Sequence, residues 1–195
     1  MSETGLDRRE AVRRLLRDRG DALVVTGLGN PTWDVAAAGD TPLNFYLWGA
    51  MGGAAMLGLG LALAQPDRRV VVVTGDGELL MGLGSLATVG VERPRNLALV
   101  VLDNARYGET GMQESHTARG VDLAGIASAS GFAEVARART PAELEALAGR
   151  LFGDGLLFAV VSVSASPTKP ELPARDGTHL RARFREALLG SDELG

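Results

Sequence analysis

Read by its apolar positions, the chain alternates short valine-rich runs with longer segments of helical spacing. Residues 22–29 (ALVVTGLG), 43–48 (LNFYLW), 69–74, 97–102, 132–136 and 156–163 are predicted strands. Several are too continuously apolar for a sheet with one wet face. Over 6–19, apolar residues at 11, 12, 15 and 16 predict an amphipathic helix, and its arginines (8, 9, 13, 14, 17, 19) are expected on the solvated face. Residues 51–67 (MGGAAMLGLGLALAQPD) are small and apolar on every side and predict a buried helix stopped by Pro66. A glycine-rich helix is expected over 79–89 and another over 124–130. A third covers 141–150, opened by Thr140 as N-cap and Pro141 at the first helical position. A proline-rich connector at 166–173 leads to a last helix at 178–189. This alternation predicts an α/β fold of three layers, with a mostly parallel central sheet covered on both faces, as a single domain over 1–195.

Ligands of such sheets sit beyond the carboxyl ends of the strands. Two predicted strands end there in polar residues, Gly75-Asp76-Gly77 and Asp103-Asn104, with Asp76 and Asn104 28 positions apart. If the two strands are neighbours, those ends meet. A carboxylate and an amide oxygen are hard ligands suited to Mg²⁺, which keeps water or phosphate oxygens in its other positions. Gly75 and Gly77 let backbone N–H groups approach a ligand closely, and the helix that follows presents its positive end. Taken singly, Asp76 reads as a helix cap and Asn104 as an Asx turn. As a pair at matched strand ends, they read as a magnesium-bridged phosphate or diphosphate site.

Composition narrows the chemistry. With 46% hydrophobic and 23% charged residues among 195, the chain is ordinary for a globular protein. No uninterrupted apolar run reaches the ~18 residues of a membrane span, and the charged start MSETGLDRRE lacks a signal-peptide core. The expected location is the cytoplasm. Zero cysteines exclude disulfides and thiolate-held metals, and two histidines argue against an all-histidine metal site. A net charge of −4 gives no electrostatic case for nucleic acid.

GDG followed by 26 residues and then Asn resembles the thiamine diphosphate motif of the 2-oxo-acid decarboxylase and acetolactate synthase superfamily. The resemblance implies that Asp76, Asn104 and the carbonyl of Arg106 hold Mg²⁺ on the diphosphate, with N–H groups of Gly77 and Glu78 beside it. A bulky apolar residue 25 positions before that Asp wedges under the cofactor in related enzymes; here it is Met51, and Gly49 stands where a glycine carbonyl meets the aminopyrimidine. The segments NFYLWGAMGGAAMLGLGLALA and LDNARYGETGMQESHT are similar to those of the sulfopyruvate decarboxylase β subunit and of phosphonopyruvate decarboxylase. The likeness covers roughly residues 20–165 and is to the diphosphate-binding (PP) domain alone. Ala50 and Glu109 depart from the small residues usual there.

The resemblance also implies what is missing. The glutamate that activates the cofactor belongs to a pyrimidine-binding (PYR) domain, for which this chain has no room. A separate α subunit is therefore expected to supply it, in a hetero-oligomer acting on a small 2-oxo acid. In the loop after Asn104, Tyr107 is placed at the cofactor, while Thr110, Gln113 and His116 are candidates for catalysis or substrate contact. Glu109 and Glu114 are open in role, and His179 is expected to be a bystander. A split acetolactate-synthase-like carboligase shares every cofactor residue, and a non-catalytic subunit of the same fold is the reading from another class.

Overall fold

The computed structural model describes residues 5–190. In chain order the elements begin α1 (Arg8–Leu16), β1 (Leu23–Thr26), α2 (Asn30–Ala38), β2 (Asn44–Tyr46), α3 (Ala54–Ala64), β3 (Val70–Gly75), α4 (Asp76–Met81), α5 (Ser85–Glu92) and β4 (Leu97–Asp103). A two-stranded ribbon, β5 (Arg106–Tyr107) with β6 (Gln113–Glu114), leads into a 3-10 turn at His116–Arg119. The chain closes with α6 (Leu123–Ala129), β7 (Glu134–Ala138), α7 (Pro141–Leu151), β8 (Leu157–Ser162) and α8 (Gly177–Leu189).

Six strands form one parallel sheet in the order β2-β1-β3-β4-β8-β7. Alternate strand residues bury into opposite layers. Val24, Val71, Val73 and Val100 meet α1, α2 and α7, while Leu23, Val70, Val72 and Leu99 meet α3, α5 and α6. The expected three-layer parallel fold is therefore the observed one. From β1 the chain leaves by α2 to one side and returns by α3 to β3 on the other, so the order reverses between β1 and β3. A crevice opens at that switch point, the usual ligand position in such sheets. Parallel pairing of β3 with β4 sets Gly75 opposite Leu102, which carries Asp76 and the Asp103-Asn104 tip to one edge.

Several expected elements differ. The helix at 30–38 was not predicted, because NPTWDVAAA has no marked apolar stripe; Pro31 opens it in the first turn. The glycine-rich helix expected at 79–89 is two helices, broken at Gly82–Gly84, and the first begins at Asp76 itself. β7 starts two residues later than expected. The helix expected from 51 begins at Ala54, which leaves Met51 on the preceding turn. It is not buried all round either: Met56, Leu57 and Leu63 are 42%, 36% and 52% exposed. The amphipathic first helix is present with a capping carboxylate, Asp7, but Arg8 leaves its solvated face and is buried. Thr140, Pro141 and Glu143 form the predicted N-terminus of α7 as a full capping box. Among the described residues, no helix is long and apolar enough to cross a membrane.

Gly58 is where α3 lies closest to the sheet: a Cβ there would stand 2.2 Å from Val72 Cγ2 and 3.5 Å from Leu97 Cδ1. Replacement Gly58→Val must push the helix outward. A loss of about 1–3 kcal/mol in urea unfolding is expected, the usual cost of overpacking, with an unchanged m-value.

Candidate active site

The crevice at the β1/β3 switch point is a cavity of about 250 Å³. Its walls come from the loop after β1 and the start of α2 (Leu28, Asn30, Pro31), the β3–α4 junction (Gly75, Asp76, Gly77, Glu78), and the loop after β4 (Asn104, Arg106, Tyr107, Gly108, Glu109, Thr110). Met51 and Met81 also line it, and they are 40% and 65% exposed, so they stand at its mouth. Asp76, Asn104, Arg106, Met51, Gly75, Gly77, Glu78, Tyr107 and Thr110 are thus brought together as the sequence suggested. Gly49, Gln113 and His116 are not in the wall.

Asp76 is 2% exposed at the end of β3. Its Oδ2 accepts hydrogen bonds from Ser115 Oγ and, at 3.3 Å, from Thr117 Oγ1. Thr117 Oγ1 also reaches Asp103 Oδ1 at 2.8 Å, and Asp103 Oδ1 accepts from the Ala105 N–H at 3.0 Å. Burial pushes the Asp76 carboxyl up to about 6; Ser115 works against that shift, and the nearby Asp103 carboxylate adds to it. Asn104 Oδ1 accepts from the Arg106 N–H at 2.9 Å, the Asx turn that its sequence position also allowed. That bond uses one lone pair of the amide oxygen and leaves the other available.

Glu78 is 5% exposed, and its Oε2 accepts from Thr74 Oγ1 at 2.7 Å. Desolvation pushes its carboxyl up; Thr74 and then the N–H groups of Ala54, Gly52 and Gly75 oppose the shift, although Oε1 has no partner of good hydrogen-bond geometry. The side chain thus lies between β3 and the turn that carries Met51. Tyr107 packs its ring over the start of α4 so closely that a Cβ on Gly77 would lie 2.5 Å from its Cε1. A larger residue at that junction would have to displace the Tyr107 ring.

Thr110 and Gln113 pair with each other, Thr110 Oγ1 donating to Gln113 Oε1 at 2.9 Å, on an exposed turn of the β5–β6 ribbon. His116 is exposed and meets Tyr107 Oη at 3.4 Å through Nδ1. Glu114 pairs with Arg106 at 3.2 Å and Arg119 at 3.5 Å, and Glu109 makes no ion pair among the described residues. His179 sits in the first turn of α8, away from the cavity.

Sequence reasoning passed over Ser115 and Thr117, because a hydroxyl 39 or 41 positions from its carboxylate leaves no local spacing to read. It also passed over Arg8 and Asp34. Arg8 is 5% exposed, lines the cavity, and donates through Nε to the fully buried Asp34, which Arg9 also approaches at 3.4 Å.

The donor set can be tested against a metal-bound diphosphate. Among the described residues, no three His, Cys, Asp or Glu side chains converge as a metal cage. What lines one cavity is the Asp76 carboxylate, the Asn104 amide and Arg106, with Gly75 leaving room beside them. That suits a hard cation taking its remaining ligands from water and phosphate. The residues fit the group.

Known proteins resemble this chain. The family model for the thiamine pyrophosphate enzyme C-terminal TPP binding domain matches residues 28–163. The chain belongs to this family and carries a thiamine diphosphate-binding domain. It is 38% identical over 188 residues to sulfopyruvate decarboxylase subunit beta of Methanothermobacter thermautotrophicus, covering 96% of this chain and 98% of that one. It is 45% identical over 147 residues to phosphonopyruvate decarboxylase of Streptomyces viridochromogenes, covering 74% of this chain but 36% of that enzyme. In fold it is similar to the thiamine diphosphate-dependent 4-hydroxybenzoylformate decarboxylase of Rhodococcus jostii RHA1, with TM-score 0.70 at 19% identity, covering 86% of this chain and 34% of the other. The chain therefore spans about a third of that solved chain.

Ser115 stabilises the charged form of Asp76, so Ser115→Ala should move the carboxyl above its present value of about 6. Carbon-13 NMR titration of the aspartates would show it; an unmoved or lowered value would count against the bond. In the metal-free chain, a carboxyl at about 6 against ~3.9 unfolded makes its full stabilising contribution only below the unfolded value. That contribution is lost as pH rises through about 6. Thermal melting of the metal-free chain should therefore fall across this window relative to Asp76→Asn, in which the group no longer titrates.

Proposed function

We propose that this chain is the β-type subunit of a two-chain thiamine diphosphate-dependent decarboxylase. Its substrate is a small 3-substituted pyruvate of the sulfopyruvate or phosphonopyruvate type, converted to an aldehyde and CO₂. The observation that carries the reading is the meeting of Asp76, Asn104 and Met51 around one cavity at the sheet's switch point. The near end-to-end likeness to a decarboxylase subunit beta supports the substrate class.

Bound thiamine diphosphate supplies the electron sink that decarboxylation of a 2-oxo acid requires. Asp76, Asn104 and the Arg106 carbonyl hold the Mg²⁺. Gly75 leaves space for the diphosphate, and the N–H groups of Gly77 and Glu78 are its donors. Met51 supports the ring system at the mouth, and Glu78 braces the turn on which Met51 stands. Gly49, two residues before Met51, would offer its carbonyl to the aminopyrimidine. Tyr107 keeps water from the floor by covering Gly77. Thr110, Gln113 and His116 lie on the exposed side of the ribbon and act on substrate once a second chain closes over it. His116 is suited to holding an acidic group or to moving a proton near neutral pH.

The partner is a separate α subunit carrying the PYR domain and its glutamate. Three features support it: the family match is to a C-terminal domain, the cavity mouth is framed by exposed methionines, and α3 turns Met56, Leu57 and Leu63 outward. A contiguous exposed apolar face of this kind marks an interaction surface.

Asp76→Ala should abolish Mg²⁺-dependent thiamine diphosphate binding measured by calorimetry, and unchanged affinity would refute the ligand assignment. Because the metal takes the ionised carboxylate, wild-type affinity should fall as pH drops through about 6. Activity assays of the chain alone and with its α partner test the split site. Full decarboxylation by this polypeptide alone would overturn it, and a ligated hydroxyketone in place of free aldehyde would favour the carboligase.

A further inference from the structure

Arg8 is the one arginine of α1 that the fold takes out of solvent into the cavity wall. Its Nε is bound by Asp34, which is 0% exposed, and Arg8 itself is 5% exposed. Its two Nη groups make no hydrogen bond to the described residues. A guanidinium is always charged and carries five N–H donors; with Nε held by Asp34 and no Arg8 nitrogen among the buried atoms that lack a partner, the Nη donors open to the cavities that Arg8 lines. The side chain of Asp34 is spent on this arginine and its neighbour: desolvation pushes its carboxyl up, and the bonds from Arg8 and Arg9 counter this. The pair is arranged as a held cation with a free fork.

Arg8 stands between two cavities. The polar one, about 270 Å³, is faced by Asp7, which disfavours an anion there. The other is the cavity of Asp76, where the opening turn of α2 (Asn30, Pro31) and Gly75–Gly77 share the wall with Arg8. In that cavity Arg8 and Asp76, at 5% and 2% exposure, form the floor, while Met51 and Met81 stand at the mouth. A ligand with apolar rings and an anionic tail enters with the tail inward.

We infer that Arg8, oriented by Asp34, receives the terminal phosphate of the diphosphate ligand at the floor of this cavity. Planar, bidentate pairing with phosphate oxygens is what a guanidinium fork provides. The inference rests on the thiamine diphosphate reading, and adds to it a binding residue from a helix outside the strand-tip motif.

The test is calorimetry on the full chain, or on its complex with the α subunit, with Mg²⁺ present. The probes are thiamine diphosphate, inorganic pyrophosphate and thiamine monophosphate. Arg8→Gln should weaken the first two by about 10- to 100-fold, the range of a charge-assisted hydrogen bond, and leave the monophosphate unchanged. Arg8→Lys should recover part of the loss. Since Arg8→Gln leaves Asp34 buried without its main partner, the double replacement Arg8→Met with Asp34→Asn keeps the fold neutral and should show the same selectivity, with thermal melting as the control. Equal losses on all three probes would mean a structural role and overturn the inference. So would unchanged affinity for both diphosphates, including the case in which only the Michaelis constant for an anionic substrate rises. Failure of the wild type to bind thiamine diphosphate would instead sink the cofactor reading itself.

Discussion

A carboxylate that is 2% exposed at the tip of a central strand has lost its water, and the surrounding structure is organised around replacing it. Asp76 receives Ser115 and Thr117 from the far end of the β5–β6 ribbon, and Thr117 extends the chain of bonds to Asp103. These hydroxyls hold the ribbon down against the sheet edge, which fixes the loop carrying Asn104, Arg106 and Tyr107. They moderate the carboxyl without returning it to its ordinary range. A cation would do what they do incompletely.

The same edge is produced by register. β3 and β4 pair in parallel with Gly75 opposite Leu102, so two polar tips from distant sequence positions end at one level. α4 begins at once with Asp76, and its far end brings Met81 beside Met51 at the mouth. Floor and mouth of the cavity are therefore the two ends of one short helix. Glu78, inside that helix, joins it to Thr74 and to the turn before α3. Floor and mouth of the cavity are mechanically one unit.

Much of this was legible along the chain. The valine runs predicted the buried strands, Thr140-Pro141 the start of α7, the polar strand ends the meeting of Asp76 with Asn104, and the family resemblance the place of Met51 at the same cavity. Misread elements share a cause. The helix at 30–38 lacks an apolar stripe, since its small residues pack on a neighbouring helix and sheet without needing one. The outer face of α3 has the composition of a core helix yet stands exposed, because apolar composition records that a surface is to be covered and not which chain covers it.

Pattern and residue type alone determined the layer architecture and the strand-tip cavity with its carboxylate and amide oxygens. Those depend on periodicity and on residue types held at fixed intervals. Only the tertiary structure decided the partners of Asp76, the burial of Glu78, and the turning of Arg8 into the wall beside Asp34. The Asp76 and Arg8 contacts join groups 25 or more positions apart, and Glu78 reaches from its own helix to the turn at Gly52 and Ala54. Such contacts are set by the packing angle of an element against the sheet, a quantity that no local pattern encodes.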